Sequence, residues 1–292
     1  MKIVVTGSLG QLGRELMRQT KGSEHTFVYT DVRESELTAS LDITDAEAVE
    51  AFIGDDVDVI INCAAYTDVN RAESDEAMAL KLNSDAPANL ARAALKADAL
   101  LIHISTDYVF DGKGFLPYSE ESQTGPLSAY GRTKLSGEKS VEASGCRYMI
   151  FRTAWLYSLT GRNFFLTMAD LTASKPMLKV VYDQVGTPTN AADLAFLLAH
   201  IIEEKMLDRT GLYHYTNEGV CSWYDFTKEI NDLLGHTCNV MPCRTEEFPT
   251  PAARPHYSVL DKKKVRDTFG LEIPHWKESL RLAVEEYLNQ QI

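Results

Sequence analysis

The chain has little that would staple, anchor or metallate it. Its five cysteines, Cys63, Cys146, Cys221, Cys238 and Cys243, are odd in number and form no CxxC pair. That excludes a disulfide framework or a zinc knuckle and reads as reduced thiols. Apolar runs never reach the ~18 residues of a spanning helix. Met1 leads straight into Lys2-Ile-Val-Val-Thr6, without the charged-then-apolar pattern of a secretion signal. These absences predict a cytoplasmic protein. Positive charge is also scarce: 29 Lys and Arg against 42 Asp and Glu give a formal net charge of −13. Such a surface repels nucleic-acid phosphates, and no basic stripe reverses it locally, so neither nucleic acid nor membrane is an expected partner. No His, Cys, Asp or Glu cluster has metal-ligand spacing, and no metal is expected.

What is present is a full-sized enzyme core. At 292 residues, with 45% hydrophobic and 24% charged content, the chain can bury a large domain and carry a smaller lobe. Lys2–Thr6 is a β-branched run ending in glycines, and Gln11–Gln19 follows with Leu12 and Leu16 at helical spacing. The pattern recurs at Thr26–Thr30 before Asp31, at Val57–Ile61 before Asn62, and at Ala99–Ile104 before Ser105-Thr106-Asp107. Helices are predicted over Asp45–Phe52, Asp75–Asn83, Ala86–Lys96 and Ser128–Ala143, with further strands at Tyr148–Phe151 and Gly211–Tyr215 around a helix at Ala191–Glu204. Alternating strands and helices imply an α/β fold with a doubly wound parallel sheet of Rossmann type. Residues 1–157 with about 190–217 read as the dinucleotide-binding domain. The proline-richer stretches, about 158–189 with 218–292, read as a discontinuous second lobe, with helices at Ser222–Leu234 and Trp276–Leu288.

Gly7-Ser-Leu-Gly10-Gln11-Leu12-Gly13 lies where the first strand meets the first helix, a junction that aims backbone N–H groups and a positive helix end at a pyrophosphate. The first glycine is shifted from the common GxGxxG form. Asp31, about twenty residues on, can accept hydrogen bonds from an adenosine ribose and favours NADH. Arg33 is either a surface charge or close enough to reach a ribose 2′-phosphate, so NADPH stays open. Asp42 and Ile43, and Ala64, Ala65 and Tyr66, follow the third and fourth strands at the ligand-binding edge of such a sheet, where they serve either cofactor contact or tight packing.

Tyr130 and Lys134 form a YxxxK pair, which projects from one face of a helix. An ammonium close to a phenol stabilises the phenolate and draws its pKa down, which suits proton transfer without histidine or metal. Thr106 ends a strand at the same sheet edge and can hydrogen-bond a carbonyl oxygen. On helix surfaces a YxxxK pair is commonplace; beside a dinucleotide loop and a strand-ending threonine it marks a redox site.

These motifs, with Ser105-Thr-Asp-Tyr-Val-Phe110, resemble the extended short-chain dehydrogenase/reductases. Asn62-Cys-Ala-Ala-Tyr-Thr67, Arg152-Thr-Ala-Trp155, Asp183-Gln-Val-Gly-Thr-Pro-Thr189 and Pro249-Thr-Pro-Ala-Ala-Arg-Pro255 narrow the resemblance to dTDP-4-dehydrorhamnose reductases. The resemblance implies an NADPH- or NADH-dependent reduction of a nucleotide-sugar C4 ketone. In it Tyr130 supplies the proton, Thr106 holds the oxygen and Lys134 also binds the nicotinamide ribose. It makes Asp107 a substrate contact, Trp155 a sugar wall or a core residue, Arg254 a diphosphate clamp or a surface charge, and Asn83 a support of the site or a helix cap. Some relatives bridge a dimer with magnesium, but the acidic position expected after Pro188-Thr-Asn reads Ala192. This leaves a homodimer open and argues against a metal bridge. Sugar-nucleotide dehydratases of the same fold place Asp-Glu after the threonine, where this chain has Asp107-Tyr108; epimerases read Phe-Ile where it has Gln11-Leu12. The rival of another class is a non-catalytic NADP-binding regulatory subunit, like that of methionine adenosyltransferase, against which the intact Thr106, Tyr130 and Lys134 argue.

Overall fold

Ile3 and Val5 face one side of the first strand and Val4 the other, and all three are fully buried, so both faces of the sheet need cover. In the computed structural model, which describes residues 1–290, that cover comes from helices on each side. The first half runs β1 (Lys2–Thr6), α1 (Gln11–Gln19), β2 (Thr26–Asp31), β3 (Ala39–Ser40), α2 (Ala46–Phe52), β4 (Val59–Asn62), α3 (Val69–Ala72), α4 (Glu76–Leu80), α5 (Ala86–Lys96), β5 (Leu100–Thr106), α6 (Ala129–Ala143) and β6 (Arg147–Thr153). The seven-stranded sheet has the order Gly211–His214, β6, β5, β4, β1, β2, β3, and every pairing is parallel. The chain leaves β1 toward β2 and returns to β4 on the other side, so the switch point lies at the carboxyl ends of β1 and β4, where open α/β sheets bind ligands.

Leu12 and Leu16 of α1 and Leu194, Leu197, Leu198 and Ile201 of helix Ala191–Glu203 pack on one sheet face with Ile3, Val5, Ile61 and Ile102. On the other face Val49, Leu90, Ala94 and Val141 meet Val4, Ile60, Leu101 and Ile150. A third core joins Tyr157, Phe165, Phe226, Ile230, Trp276 and Leu280. It includes the unforeseen helix Phe164–Ser174. Val265, Phe269 and Ile273, from the stretch read as second lobe, pack instead with the sheet-face core of α1.

The expected break between two helices at Asn83 does not occur. α4 continues into α5 through a π-helical turn, Lys81–Asp85. Pro87 has no N–H to offer the carbonyl four residues back, and that carbonyl is Asn83's. The freed Asn83 backbone presses on α6 so closely that a Cβ at Gly137 would lie 2.0 Å from its oxygen. Near the start of α6, a Cβ at Gly131 would lie 2.2 Å from the Tyr108 carbonyl. Two glycines thus seat α6, capped by Ser128 accepting from the Gly131 N–H at 3.1 Å, against both neighbours.

Candidate active site

The carboxyl edge of the sheet opens into a cleft of about 940 Å³ lined by Gly7, Gly10, Gln11 and Leu12 at one side and Trp155, Trp223 and Arg254 at another. Gly7 turns the chain out of β1 at φ 68°, and a Cβ there would come within 2.5 Å of the Ala64 nitrogen. Only glycine allows both. No side chain caps α1, so its positive end is left to a ligand. These features fit a dinucleotide pyrophosphate. Gly13 and Tyr66 do not line the cleft, unlike the other residues expected to contact a cofactor. Gly13 lets α1 pack on the loop, since its Cβ would meet Ser8 Cα at 2.5 Å, and the Tyr66 ring packs beside Ala72, Ala79 and Ala129.

Asp31 Oδ2 accepts from the Leu9 N–H at 3.1 Å, tying the glycine loop to the end of β2. Arg33 lines the same end, and no hydrogen bond or ion pair of its guanidinium is found among the described residues. Asp42 folds back on Thr44, accepting from its N–H at 2.9 Å and its hydroxyl at 2.7 Å, which holds the carboxyl below its usual range. Ile43, Ala64 and Ala65 complete that wall.

Thr106, Tyr130 and Lys134 meet in the cleft as the spacing implied, with Lys134 held by a backbone carbonyl. Its Nζ donates to the Ile104 carbonyl at 2.5 Å, and burial lowers its pKa to about 8. Burial pushes the Tyr130 phenol above its ordinary value. The expected fall toward neutrality does not appear, because desolvation disfavours the phenolate. Thr106 Oγ1 donates to Asp107 Oδ1 at 2.9 Å and accepts from the Tyr108 N–H at 3.2 Å.

Buried polar groups hold this trio in place. Asn83 in the π turn accepts from the Tyr66 N–H at 2.8 Å and donates to Thr133 on α6 at 3.2 Å, coupling the loop after β4 to α6. Glu138, one turn beyond Lys134, is clamped by Arg152 through bonds of 2.9 and 2.7 Å and accepts from Ser105. His103 Nδ1 faces the Asn62 amide at 3.0 Å, and burial drives its pKa well below the ordinary value. Neither His103 nor His214 lines the cleft.

Trp155 adopts φ 49°, a strained backbone for a bulky residue, and stacks on Trp223 with ring centroids 3.5 Å apart. Both rings line the cleft. Trp223 was not foreseen; its position just after the Ser222 helix cap marked only a helix start. Arg254 reaches across to the Tyr108 hydroxyl at 2.7 Å and Asn70 Oδ1 at 3.0 Å. The Tyr108 ring in turn meets Tyr130 edge-on at 5.5 Å. Tyr108 was read only as the residue that replaces a dehydratase glutamate, yet it joins Arg254 to Tyr130. Among the described residues no group of three or more His, Cys, Asp or Glu could hold a metal, and no helix is long and apolar enough to cross a membrane.

The family model for the RmlD substrate binding domain matches residues 1–289. A dTDP-4-dehydrorhamnose reductase of Burkholderia thailandensis is 37% identical over 99% of this chain and 100% of its own. The crystal structure of a dTDP-4-dehydrorhamnose reductase from Clostridium acetobutylicum is 47% identical, with a TM-score of 0.92 over 99% of this chain and 100% of that one. One from Bacillus anthracis, solved in complex with NADP, is 35% identical, with a TM-score of 0.89 over 99% of both chains. With the glycine loop, Thr106 and the Tyr130–Lys134 pair in one cleft, the chain belongs to the dTDP-4-dehydrorhamnose reductase family.

Proposed function

We propose that this protein reduces the C4 ketone of dTDP-4-dehydro-6-deoxy-L-mannose to give dTDP-L-rhamnose, a donor for cell-surface polysaccharide. The observation that carries the reading is the convergence of Thr106, Tyr130 and Lys134 with the glycine loop, Trp155 and Arg254 on one cleft. Gly7, Gly10, Gln11 and Leu12 would hold the cofactor pyrophosphate, Asp31 or Arg33 its adenosine ribose, and Lys134 its nicotinamide ribose. Bound there, NADPH or NADH supplies the hydride.

The proton comes from Tyr130. Burial keeps the phenol protonated at neutral pH, so it gives up its proton only as negative charge develops on the C4 oxygen. Lys134, one helical turn away, still carries its charge at pH 7 with a pKa of about 8 and favours the phenolate that results. Thr106 orients the ketone oxygen. Trp155 forms the sugar wall with Trp223, Asp107 contacts the sugar, and Arg254 clamps the diphosphate with its fork of donors. The division of labour follows the two lobes: residues 1–157 with about 190–217 hold the cofactor, and about 158–189 with 218–292 the nucleotide sugar. The partners we infer are a nucleotide sugar, no nucleic acid against a surface of net charge −13, and a second copy of the chain as a homodimer in the cytoplasm.

The test is oxidation of NADPH or NADH by dTDP-4-dehydrorhamnose, compared with GDP- and UDP-linked 4-keto sugars, in wild type and Tyr130→Phe. Turnover specific to the dTDP sugar and lost in the variant supports the reading. No oxidation with any ketone favours the regulatory alternative, and full turnover in Tyr130→Phe removes Tyr130 as the donor.

A further inference from the structure

A threonine hydroxyl has one proton to donate and two lone pairs to fill. At Thr106 the proton goes to Asp107 Oδ1 at 2.9 Å, and one lone pair takes the Tyr108 N–H at 3.2 Å. In this arrangement the Thr106 hydroxyl, expected to address a ketone, is aimed at Asp107 instead.

Asp107 itself is 2% exposed, and its Oδ2 has no hydrogen-bond partner. The groups around it offer no compensating cation. Tyr108 adjoins it in the chain, Tyr130 faces it from α6, and the Ser258 hydroxyl lies beside the carboxyl. Arg254 is committed to the Tyr108 hydroxyl and Asn70, and Lys134 to the Ile104 carbonyl. A buried carboxylate with an empty oxygen and no cation favours its protonated form, and its pKa is accordingly raised to about 6.

We propose that Asp107 is a positioning residue whose protonation sets the direction of the Thr106 hydrogen bond, and so decides whether Thr106 presents its proton to the substrate ketone. Protonated, Asp107 donates to the free lone pair of Thr106 Oγ1, beside the one that takes the Tyr108 N–H. The Thr106 proton is then free for the C4 oxygen. Ionised, Asp107 keeps the Thr106 proton in its own hydrogen bond. The inference rests on the reductase reading and adds to it a group that works through Thr106.

Two measurements test it. The pH profile of kcat at saturating cofactor and keto sugar is compared for wild type and Asp107→Asn, whose amide cannot ionise. Wild type is expected to decline by about tenfold per pH unit above the Asp107 titration, and the variant to lack that limb whatever its absolute rate. A variant that keeps the limb, or is slowed equally at every pH, overturns the proposal. The second readout is the infrared difference between the two ligand-free proteins, expected to show a protonated carboxyl band that fades near pH 6; a carboxylate already ionised at pH 5 also overturns it. If wild type reduces no ketone, the functional reading falls, and the infrared result still decides whether Asp107 holds its proton.

Discussion

Arg254 Nη1 donates to the Tyr108 hydroxyl at 2.7 Å, while the ring of Tyr108 lies edge-on to Tyr130 at 5.5 Å. Arg254, the proposed diphosphate clamp, is therefore pre-positioned by a residue that also packs on Tyr130. Arg254→Met removes charge-assisted bonds worth about 1.5–3 kcal/mol, so the KM for the nucleotide sugar is expected to rise about 10- to 100-fold with little change in kcat. Tyr108→Phe removes one neutral partner, worth about 0.5–1.5 kcal/mol, and should raise KM less. Equal effects on kcat and KM in Arg254→Met would place the guanidinium elsewhere in the mechanism.

At the other end of the cleft, Arg33 leaves its guanidinium without a protein partner among the described residues. Arg33→Ala should weaken NADPH about 10-fold or more and NADH hardly at all, because a 2′-phosphate alone would use that charge. Steady-state KM values for both cofactors decide it; parallel losses would assign Arg33 to folding of the loop.

α6 depends on Gly137. An added methyl would stand 2.0 Å from the Asn83 carbonyl, and neither backbone can yield without moving Tyr130 and Lys134. Gly137→Ala is expected to cost about 1–3 kcal/mol in urea unfolding and to lower kcat, although alanine is the better helix former by about 1 kcal/mol. A more stable variant would show that the contact relaxes freely.

Most of the sheet and the placement of Tyr130 and Lys134 on α6 were legible in the sequence, because β1, β4 and β5 are continuous apolar runs ending in small or polar residues and YxxxK has a helical period. The π turn was not: the pattern at Asp75–Lys96 reads as two helices, and only the pairing of Asn83 with Pro87 across a glycine helix reveals one continuous element. Trp223 was invisible because nothing local brings it to Trp155, more than sixty positions earlier; that contact follows from the third core. The rise of the Tyr130 phenol above its ordinary value was not legible, because spacing carries no information on desolvation.

Glu138 and Arg152 are 1% and 4% exposed and paired bidentately at 2.9 and 2.7 Å. Glu138→Ala leaves a buried guanidinium unpaired, and a loss of about 3–5 kcal/mol is expected. The double variant Glu138→Leu, Arg152→Met should recover much of it. A single variant as stable as wild type would mean that water reaches Arg152.

His214 carries a pH dependence of known sign. Burial and the nearby Arg152 guanidinium lower its pKa from 6.5 to about 3, so between those values the unfolded chain binds a proton that the native ring refuses. The stabilisation is complete above pH 6.5 and is lost as pH falls toward 3, at about 1.4 kcal/mol per unit. The His214 ring resonances should stay those of neutral imidazole down to pH 4; a midpoint near 6.5 would contradict the buried assignment.

The reaction proposed for this cleft is hydride delivery to a sugar C4 with Tyr130 supplying the proton. NADPH deuterated at the transferring face of nicotinamide C4, incubated with dTDP-4-dehydrorhamnose, tests it most directly. One deuterium at C4 of dTDP-L-rhamnose is expected with wild type and almost none with Tyr130→Phe. A reduced product without deuterium at C4, or no reduced product from wild type, would contradict it.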